Sequence, residues 1–215
     1  MDNRKYNWLG RLYFWAANRL YNEFAWTYDL VSWLVSFGRW AGWRRAVLGH
    51  IQGDRILEIG FGTGELLLGM SREGYNVFGL DRSLKMHRIT ERKLTRRGIC
   101  LPRVQGEAQA LPFANHSFDT IVSTFPAEFI MQAATLMEVA RLLSPLGGGR
   151  FVIVGLPAVR KNLDQRSVLE RICGIDIQRV HDIFMQIAAG AGLNVQVEYH
   201  TTNRQRIPIV ILTPI

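Results

Sequence analysis

The sequence predicts an α/β fold built on a seven-stranded mixed sheet, and three observations support this. From about residue 51, short apolar runs alternate with amphipathic stretches, which is typical of βα units in a mostly parallel sheet. Three glycines at alternate positions follow the first apolar run, directly before a stretch of helical periodicity. The last two apolar runs, 194–201 and 206–215, are separated by only a few polar residues. A connection that short cannot cross over a sheet, so we expect an antiparallel hairpin there.

The individual elements follow from apolar periodicity and from the residues that end each run. A strand at 55–60 precedes a helix at 65–74, and a strand at 76–81 precedes a helix at 84–98 that ends at Gly98. The alternation continues with a short third strand within 101–108, a fourth strand at 118–125, a helix at 131–143, a fifth strand at 150–156 and a helix at about 177–190. Five parallel strands and a C-terminal antiparallel hairpin, with helices on both faces, make a Rossmann-like sheet.

The aromatic residues divide the chain into two zones. All six tryptophans lie in the first 43 residues. We therefore predict an N-terminal aromatic helical segment over 1–50 and one folded unit over 51–215. Tryptophan, tyrosine and arginine interleaved on short helices suit a boundary between apolar and wet surroundings. The segment is interpreted as a lid over the site, an acceptor or membrane contact, or aromatic side chains that simply pack against the sheet.

Composition indicates a folded protein of 215 residues, with 48% hydrophobic and 20% charged residues. The net charge of +8 suits an anionic membrane surface, a nucleic acid, an acidic substrate or solubility alone. We expect the basic residues to be spread along the chain instead of forming one stripe with stacking aromatics, which makes nucleic acid an unfavoured partner. Cys100 and Cys173 lack the spacing of a metal site, so no metal is predicted. A cytoplasmic location is predicted, because no segment resembles a signal peptide or a spanning helix.

The glycine-rich turn predicts a nucleoside cofactor without phosphates. Gly60, Gly62 and Gly64 are spaced G-x-G-x-G, whereas a dinucleotide loop is spaced G-x-G-x-x-G. Glu65 brings a carboxylate to the helix N-terminus where a pyrophosphate would otherwise lie. Asp81 ends the second strand, where an acidic side chain can accept hydrogen bonds from ribose hydroxyls. An NAD-dependent oxidoreductase is therefore disfavoured.

Four motifs in order carry a family resemblance. They are E-I-G-F-G-T-G, G-L-D, G-E-A-x-x-L-P-F with a following F-D, and "EVARLLSP" before a Gly-Gly-Arg. Over about residues 51 to 156 this pattern resembles the class I S-adenosylmethionine-dependent methyltransferases. The resemblance implies that S-adenosyl-L-methionine is the cofactor. The turn "SPLGGGR" is longer than the Pro-Gly-Gly usual in that family, which suggests an altered loop.

The resemblance also implies a role for each matching residue. The three glycines would let the backbone approach the amino-acid and ribose parts of the cofactor. Asp81 would hold the ribose hydroxyls, and Thr124 would face the cofactor near the transferred methyl group. The remaining implied cofactor contacts are Thr63 in the glycine loop, Arg82 beside the adenine, and Glu107 and Ala108 at the adenine, where the family more often has Asp-Ala.

The acceptor must be inferred from the variable parts of the chain. The stretch "YDLVSWLVSFGRWAGWRR" (28–45) resembles the ubiquinone/menaquinone C-methyltransferases, and the bacterial phospholipid N-methyltransferases share its Tyr-Asp start. The resemblance implies methyl transfer to a small, hydrophobic acceptor such as a quinone-precursor ring. The alternatives are a phospholipid amine, an RNA, and a methyltransferase-like domain that binds without turnover. Such an acceptor would also suit a peripheral position at the inner membrane face.

Two residues are candidates for acid–base or positioning work on the acceptor. Glu128, in the stretch "FPAEFI" after the fourth strand, would accept a proton from a phenol or orient an amine. Its alternative role is a carboxylate favoured by a helix N-terminus. Tyr28 opens the stretch that resembles the quinone methyltransferases. The basic stretch 160–166 would steer an anionic head group or form a solvated loop, and His181 is expected to be structural.

Overall fold

The computed structural model describes residues 46–145, 148–156, 177–202 and 205–215. Within them the chain forms a seven-stranded sheet in the order β3-β2-β1-β4-β5-β7-β6. The strands are β1 Arg55–Ile59, β2 Asn76–Asp81, β3 Arg103–Gln105, β4 Thr120–Thr124, β5 Arg150–Val154, β6 Leu193–Thr202 and β7 Gln205–Pro214. The helices are α1 Glu65–Arg72, α2 Leu84–Thr95, α3 Ala133–Leu142 and α4 Ile177–Gly190, with a 3₁₀ turn at Glu128–Met131.

Strands β1 to β5 form the parallel part of the sheet. β1 lies between β2 and β4, with Leu57 opposite Phe78 on one side and Ile121 on the other. β3 extends the sheet beyond β2, and β5 extends it beyond β4. The chain thus builds outward in one direction from β1 to β3 and then returns to the other side of β1. This reversal leaves a crevice at the carboxyl ends of β1 and β4, where open α/β sheets bind ligands.

The predicted hairpin is confirmed. β6 and β7 are antiparallel over ten residue pairs from Leu193↔Pro214 to Thr202↔Gln205. β7 also pairs antiparallel with β5, with Val152 opposite Ile211. The later strand of the hairpin therefore lies inside the sheet and the earlier one at its border.

Apolar side chains cover both faces of the sheet, as the continuous apolar strands predict. On one face Leu57, Ile121 and Phe151 pack with residues of α3 and α4. On the other face Ile56 and Val152 pack with residues of α1 and with other strand residues. Burial on both sides follows from the sequence pattern, because these strands lack polar alternation.

The observed bounds differ from the predicted ones mainly at loops. The third strand has only three residues, because Pro102 precedes it and Gly106 follows it, and neither residue favours a sheet ladder. The helices α1, α2 and α3 end one to three residues before the predicted limits. The predicted N-terminal segment lies outside the described residues except for its end, where Ala46 and Val47 are buried against the body of the sheet.

None of the helices in the described ranges is long and apolar enough to cross a lipid bilayer.

Candidate functional site

The site is built where three neighbouring strands end. Gly60 follows β1, Asp81 is the last residue of β2, and Thr124 is the last residue of β4. These strands are adjacent in the order β2-β1-β4, so their carboxyl ends meet at one edge. This edge is the crevice created by the reversal of strand order.

The glycine loop has backbone angles that explain its composition. Gly60, Gly62 and Gly64 have φ angles of 74°, 53° and 74°, a region that other residues rarely occupy. The Gly60 N–H donates to the Leu80 carbonyl at 2.7 Å, and the Gly64 N–H donates to the Phe61 carbonyl at 2.9 Å. These bonds close the loop between β1 and α1 against the neighbouring strand.

The three glycines differ in their surroundings. A Cβ on Gly64 would lie 2.4 Å from Cγ2 of Thr90, and a Cβ on Gly60 would lie 3.6 Å from the ring of Phe129. A Cβ on Gly62 would meet no atom of the described residues within 4 Å. The loop is thus packed at Gly64 and open at Gly62, so an external group can reach its backbone there.

Asp81 joins the glycine loop to the start of α2. Its side chain is buried, with 1% exposure. Oδ2 accepts from the Gly62 N–H at 2.8 Å, and Oδ1 accepts from the Ser83 N–H at 2.8 Å. The residue predicted from the sequence as a ribose contact therefore also has an intramolecular role, because it holds the loop at its open position.

Thr90 is a supporting residue that the sequence pattern did not reveal. Its hydroxyl donates to the Gly62 carbonyl at 3.0 Å, and the side chain is fully buried. With Met86 and Leu94 it forms the buried face of α2 at four-residue spacing. The sequence did contain one signal for this role, a single hydroxyl on the apolar face of the helix. A buried hydroxyl needs a hydrogen-bond partner.

Glu65, the first residue of α1, forms an ion pair across to α2. Lys93 Nζ donates to Glu65 Oε1 at 3.0 Å, with both side chains partly exposed. A carboxylate is favoured at a helix N-terminus by the helix dipole. The pair also links the two helices that flank the loop.

The residues predicted to surround an adenine follow β2 and β3. Arg82 is exposed, and its carbonyl accepts from the side chain of Gln105 at 3.2 Å. Glu107 is exposed and its carbonyl closes a turn with the N–H of Ala110, whereas Ala108 is buried. Since β3 is the neighbour of β2, these side chains follow strands that end at the same sheet edge as Asp81.

Aromatic residues lie beside the end of β4, and the sequence pattern alone assigned them no role. Phe125 has a φ of 50°, unusual for a non-glycine residue, and its N–H donates to the Val154 carbonyl at 2.8 Å. A Cβ on Gly155 would lie 2.3 Å from its ring. Phe129 contributes a second ring, next to Gly60. Both rings belong to the segment that directly follows the half-buried Thr124.

Of the two candidate catalytic residues, the structure describes only Glu128. Glu128 is exposed and begins the 3₁₀ turn that also contains Phe129. Its carboxylate thus belongs to the turn that borders Gly60. Tyr28 lies outside the described residues, as does the basic stretch 160–166.

The loop from β3 to β4 is fastened to α3 by two charged residues. Glu138 accepts from the Leu111 N–H at 2.7 Å and from Arg141, which itself donates to the carbonyls of Leu111 and Phe113. The side-chain hydrogen bond from Arg141 outweighs burial and holds the pKa of Glu138 below its ordinary value. The same bond raises the pKa of Arg141. The loop that follows Glu107 and Ala108 is therefore held by charged hydrogen bonds.

Comparison with known proteins finds similarity to methyltransferases. Residues 56–147 match the family described as "Methyltransferase domain". The chain is 34% identical over 144 residues to the demethylmenaquinone methyltransferase of Thermus thermophilus, an alignment that covers 64% of each chain. It is 36% identical over 138 residues to the enzyme of the same name from Beutenbergia cavernae, covering 62% of this chain and 55% of that one. The chain thus spans less than two thirds of the length of these curated relatives.

A solved structure agrees on the fold. The crystal structure of a SAM-dependent methyltransferase from Aquifex aeolicus superposes with a TM-score of 0.59 and 19% sequence identity, covering 80% of this chain and 89% of that chain. At this identity the likeness concerns the fold alone. The Rossmann-like sheet predicted from the sequence is confirmed.

Proposed function

We propose that residues 56–147, which match the family described as "Methyltransferase domain", form a class I S-adenosylmethionine-dependent domain, and that the chain methylates a ring carbon of a quinone precursor. The observation that carries the cofactor part of the proposal is the glycine loop. At its open position, Gly62, the N–H donates to Asp81 and the carbonyl accepts from Thr90. These bonds fix the loop at the crevice between β1 and β4. A loop arranged in this way suits a cofactor that needs close backbone approach and carries no phosphates.

The residues present fit S-adenosyl-L-methionine. The open side of Gly62 leaves room for the ribose and amino-acid parts of the cofactor beside Gly60, Thr63 and Gly64. The exposed Arg82 and Glu107 and the buried Ala108 would border the adenine. Asp81 would accept from a ribose hydroxyl in addition to its bonds to the loop, because a carboxylate oxygen can accept more than one hydrogen bond.

The chain's own residues would position the acceptor and exclude water. When bound, the cofactor supplies an electrophilic methyl group, and a ring carbon that receives it must afterwards lose a proton. Phe125 and Phe129, which follow Thr124 along the chain, would offer apolar contacts to an acceptor ring bound there. Glu128, on the same turn, would hold a phenolic proton of the acceptor or receive the ring proton.

The names of the relatives favour the ring over the other acceptors. Both relatives described above are named for demethylmenaquinone, and neither for a lipid amine or an RNA. The two phenylalanines after Thr124 agree with this, because flat rings stack on or against aromatic side chains. Transfer to a phospholipid amine is the second candidate, since the N-terminal stretch has a similar Tyr-Asp start.

The direct test combines binding with turnover. We expect calorimetry to detect S-adenosylhomocysteine binding, and labelled cofactor to transfer its methyl group to a short-chain demethylmenaquinone analogue but not to phosphatidylethanolamine. Glu128→Gln should lower kcat by about 10²- to 10⁴-fold, the range for an acid–base group, with unchanged S-adenosylhomocysteine affinity. Glu73→Gln, on the surface beyond α1, is the matched control and should keep full activity.

The outcomes separate the alternatives. Labelling of the phospholipid instead of the quinone would exchange the first candidate for the second. Binding of S-adenosylhomocysteine without transfer to either acceptor would favour a non-catalytic domain. Binding of NADH but not of S-adenosylhomocysteine would refute the cofactor assignment.

The segment 1–50 is proposed to contact the acceptor and the inner membrane face, with Tyr28 near the acceptor ring. All six tryptophans lie in the first 43 residues, so their fluorescence reports on this segment alone. Vesicles that contain brominated lipid should quench the tryptophans of the full chain if this segment enters the interface. Full co-sedimentation without quenching would contradict the membrane contact through this segment.

A further inference from the structure

The net positive charge of the protein is concentrated in the stretch from the end of β2 to the start of β3. Residues 82–103 contain eight of the 26 basic residues and one of the 18 acidic residues. These 22 residues carry a net charge of +7, and the other 193 residues together carry +1. Basic residues therefore occur along the whole chain, as expected, but acidic residues balance nearly all of them outside this range.

Four of these side chains form a basic stripe, which we define as Lys85, Arg88, Arg92 and Arg96. All four are exposed. Their spacing of three and four residues places them on one face of α2 and its helical C-cap, over about 17 Å. The buried face of the helix lies on the opposite side, so the stripe points away from the core.

Two other charged residues of α2 are paired with neighbouring elements. Glu91, the one acidic residue of the range, is paired with Arg103 on β3. Lys93 is paired with Glu65 of α1. Beside the stripe, a shallow groove of about 510 Å³ lies between α2 and β3. Its lining residues are Leu84, His87, Arg88, Glu91, Arg92 and Arg103.

We propose that the basic stripe is a docking surface for an anionic lipid bilayer. A cluster of exposed lysine and arginine residues on one helix face is attracted to the negative potential of anionic lipids. Leu84, at the first turn of α2, is 48% exposed and adds an apolar contact at the end of the stripe. The stripe begins next to Arg82 and Asp81, so docking through it brings the crevice close to the bilayer.

A bilayer fits these observations better than a nucleic acid does. Residues 82–103 contain no Phe, Tyr or Trp on which bases could stack. The stripe is also a straight helix face and not a channel that follows a strand. If the acceptor is a hydrophobic molecule dissolved in the bilayer, docking would bring the crevice to it, and this role rests on the proposed function.

The test compares two double variants of the full chain with equal changes in charge. Arg88→Gln with Arg92→Gln removes two charges from the stripe, and Arg72→Gln with Arg179→Gln removes two exposed charges from α1 and α4. Wild-type protein should co-sediment with vesicles of phosphatidylcholine and phosphatidylglycerol, and not with phosphatidylcholine alone. The stripe variant should lose binding by roughly thirtyfold, and the control variant should lose much less.

Further measurements exclude simpler explanations. Both variants should keep the wild-type melting temperature, because the changed side chains are exposed. Arg88→Lys with Arg92→Lys should restore binding, and raising salt from about 0.1 M to about 1 M should abolish it. Equal loss in the two double variants, or no binding of wild type to anionic vesicles, would overturn the proposal. So would stripe-dependent binding of a single-stranded RNA oligonucleotide with stripe-independent vesicle binding.

This test is independent of both experiments on the proposed function. Vesicle binding does not require turnover, and the brominated-lipid assay reports only on the tryptophans of the N-terminal segment. If vesicle binding does not depend on the stripe but methyl transfer is normal, only the docking surface is refuted.

Discussion

The three glycines of the glycine loop have different surroundings. All three have a positive φ, but among the described residues a side chain crowds only the Cβ position of Gly64, and no atom lies within 4 Å of that of Gly62. The packing at Gly64 involves Thr90, whose hydroxyl holds the Gly62 carbonyl. Thr90 therefore links the packing at Gly64 to the position of Gly62. Substitutions at these two glycines can distinguish one that is needed for the fold from one that borders a ligand.

Gly64→Ala should destabilise the fold by about 2–5 kcal/mol. The left-handed conformation costs about 1–2 kcal/mol for a residue with a Cβ, and the clash with Thr90 adds about 1–3 kcal/mol. Thr90 is short and buried, so it cannot move aside without breaking its bond to Gly62. Denaturant unfolding measures this loss.

Gly62→Ala should cost only the backbone strain of about 1–2 kcal/mol, because no described atom lies near its Cβ position. If a cofactor approaches there, S-adenosylhomocysteine affinity should fall more than tenfold in calorimetry. Gly69→Ala, inside α1 with no described atom near its Cβ position, is the control, and its affinity should equal that of wild type. Wild-type affinity in Gly62→Ala would mean that the cofactor does not approach this glycine.

These residues also mark how far the sequence predicted the site. The glycines and Asp81 were predictable, because their spacing and their places after strands follow from local pattern. The bonds of Asp81 to Gly62 and of Thr90 to Gly62 were not, since they join residues 19 and 28 positions apart. The ring of Phe129 beside Gly60 likewise depends on a turn from a different strand.

Among the elements, α3 and the loop before β4 are held together by charged hydrogen bonds. Glu138 and Arg141 are three residues apart on α3, and both bond backbone groups of the loop that contains Leu111. The pKa of Glu138 is lowered in the folded protein, so its stabilising contribution is full above the ordinary pKa near 4.5. The contribution is lost as the pH falls through the lower, folded-state pKa.

Glu138→Gln should therefore lower stability at pH 7 by about 1 kcal/mol, the order of a partly exposed charged hydrogen bond. The difference from wild type should shrink steadily below pH 4.5 as wild-type Glu138 takes up its proton. Denaturant unfolding at several pH values measures both effects. Asp119, whose pKa is lowered chiefly by its hydrogen bond with Arg55, is unchanged in the variant and should maintain the remaining acid sensitivity. A difference that stays constant with pH would contradict the ion-pair explanation.

Element bounds show what local sequence can predict. The helices and the hairpin were predictable because periodicity and glycine ends are properties of neighbouring residues. The short β3 lies within the predicted range 101–108, but its exact ends depend on how Pro102 and Gly106 meet β2. Its last residue, Gln105, lies opposite Asp81, and the Gly106 N–H then donates to the Asp81 carbonyl.

For the molecule as a whole, the sheet predicts a pattern of amide protection. β7 is paired on both sides, with β5 and with β6, whereas β6 pairs only with β7 among the described strands. In hydrogen exchange, amides of residues 207 to 212 other than Pro208 should be uniformly slow. Amides of β6 should alternate between slow and fast, since every second one points to the open side. Uniform protection in β6 would mean that another part of the chain or a second molecule covers it.

The strand order also has a consequence for synthesis of the chain. β6 leaves the ribosome before β7, yet β7 is its only neighbour among the described strands. At that stage the nascent β6 has no partner, and the border of β5 that β7 will occupy is still open. Glu198, whose side chain is 42% exposed, places a charge on β6, and a charge on an edge strand disfavours pairing with strands of other chains. The order in which the two strands appear thus creates an interval of misassembly risk, and this charge on the first strand reduces the risk until the second strand is made.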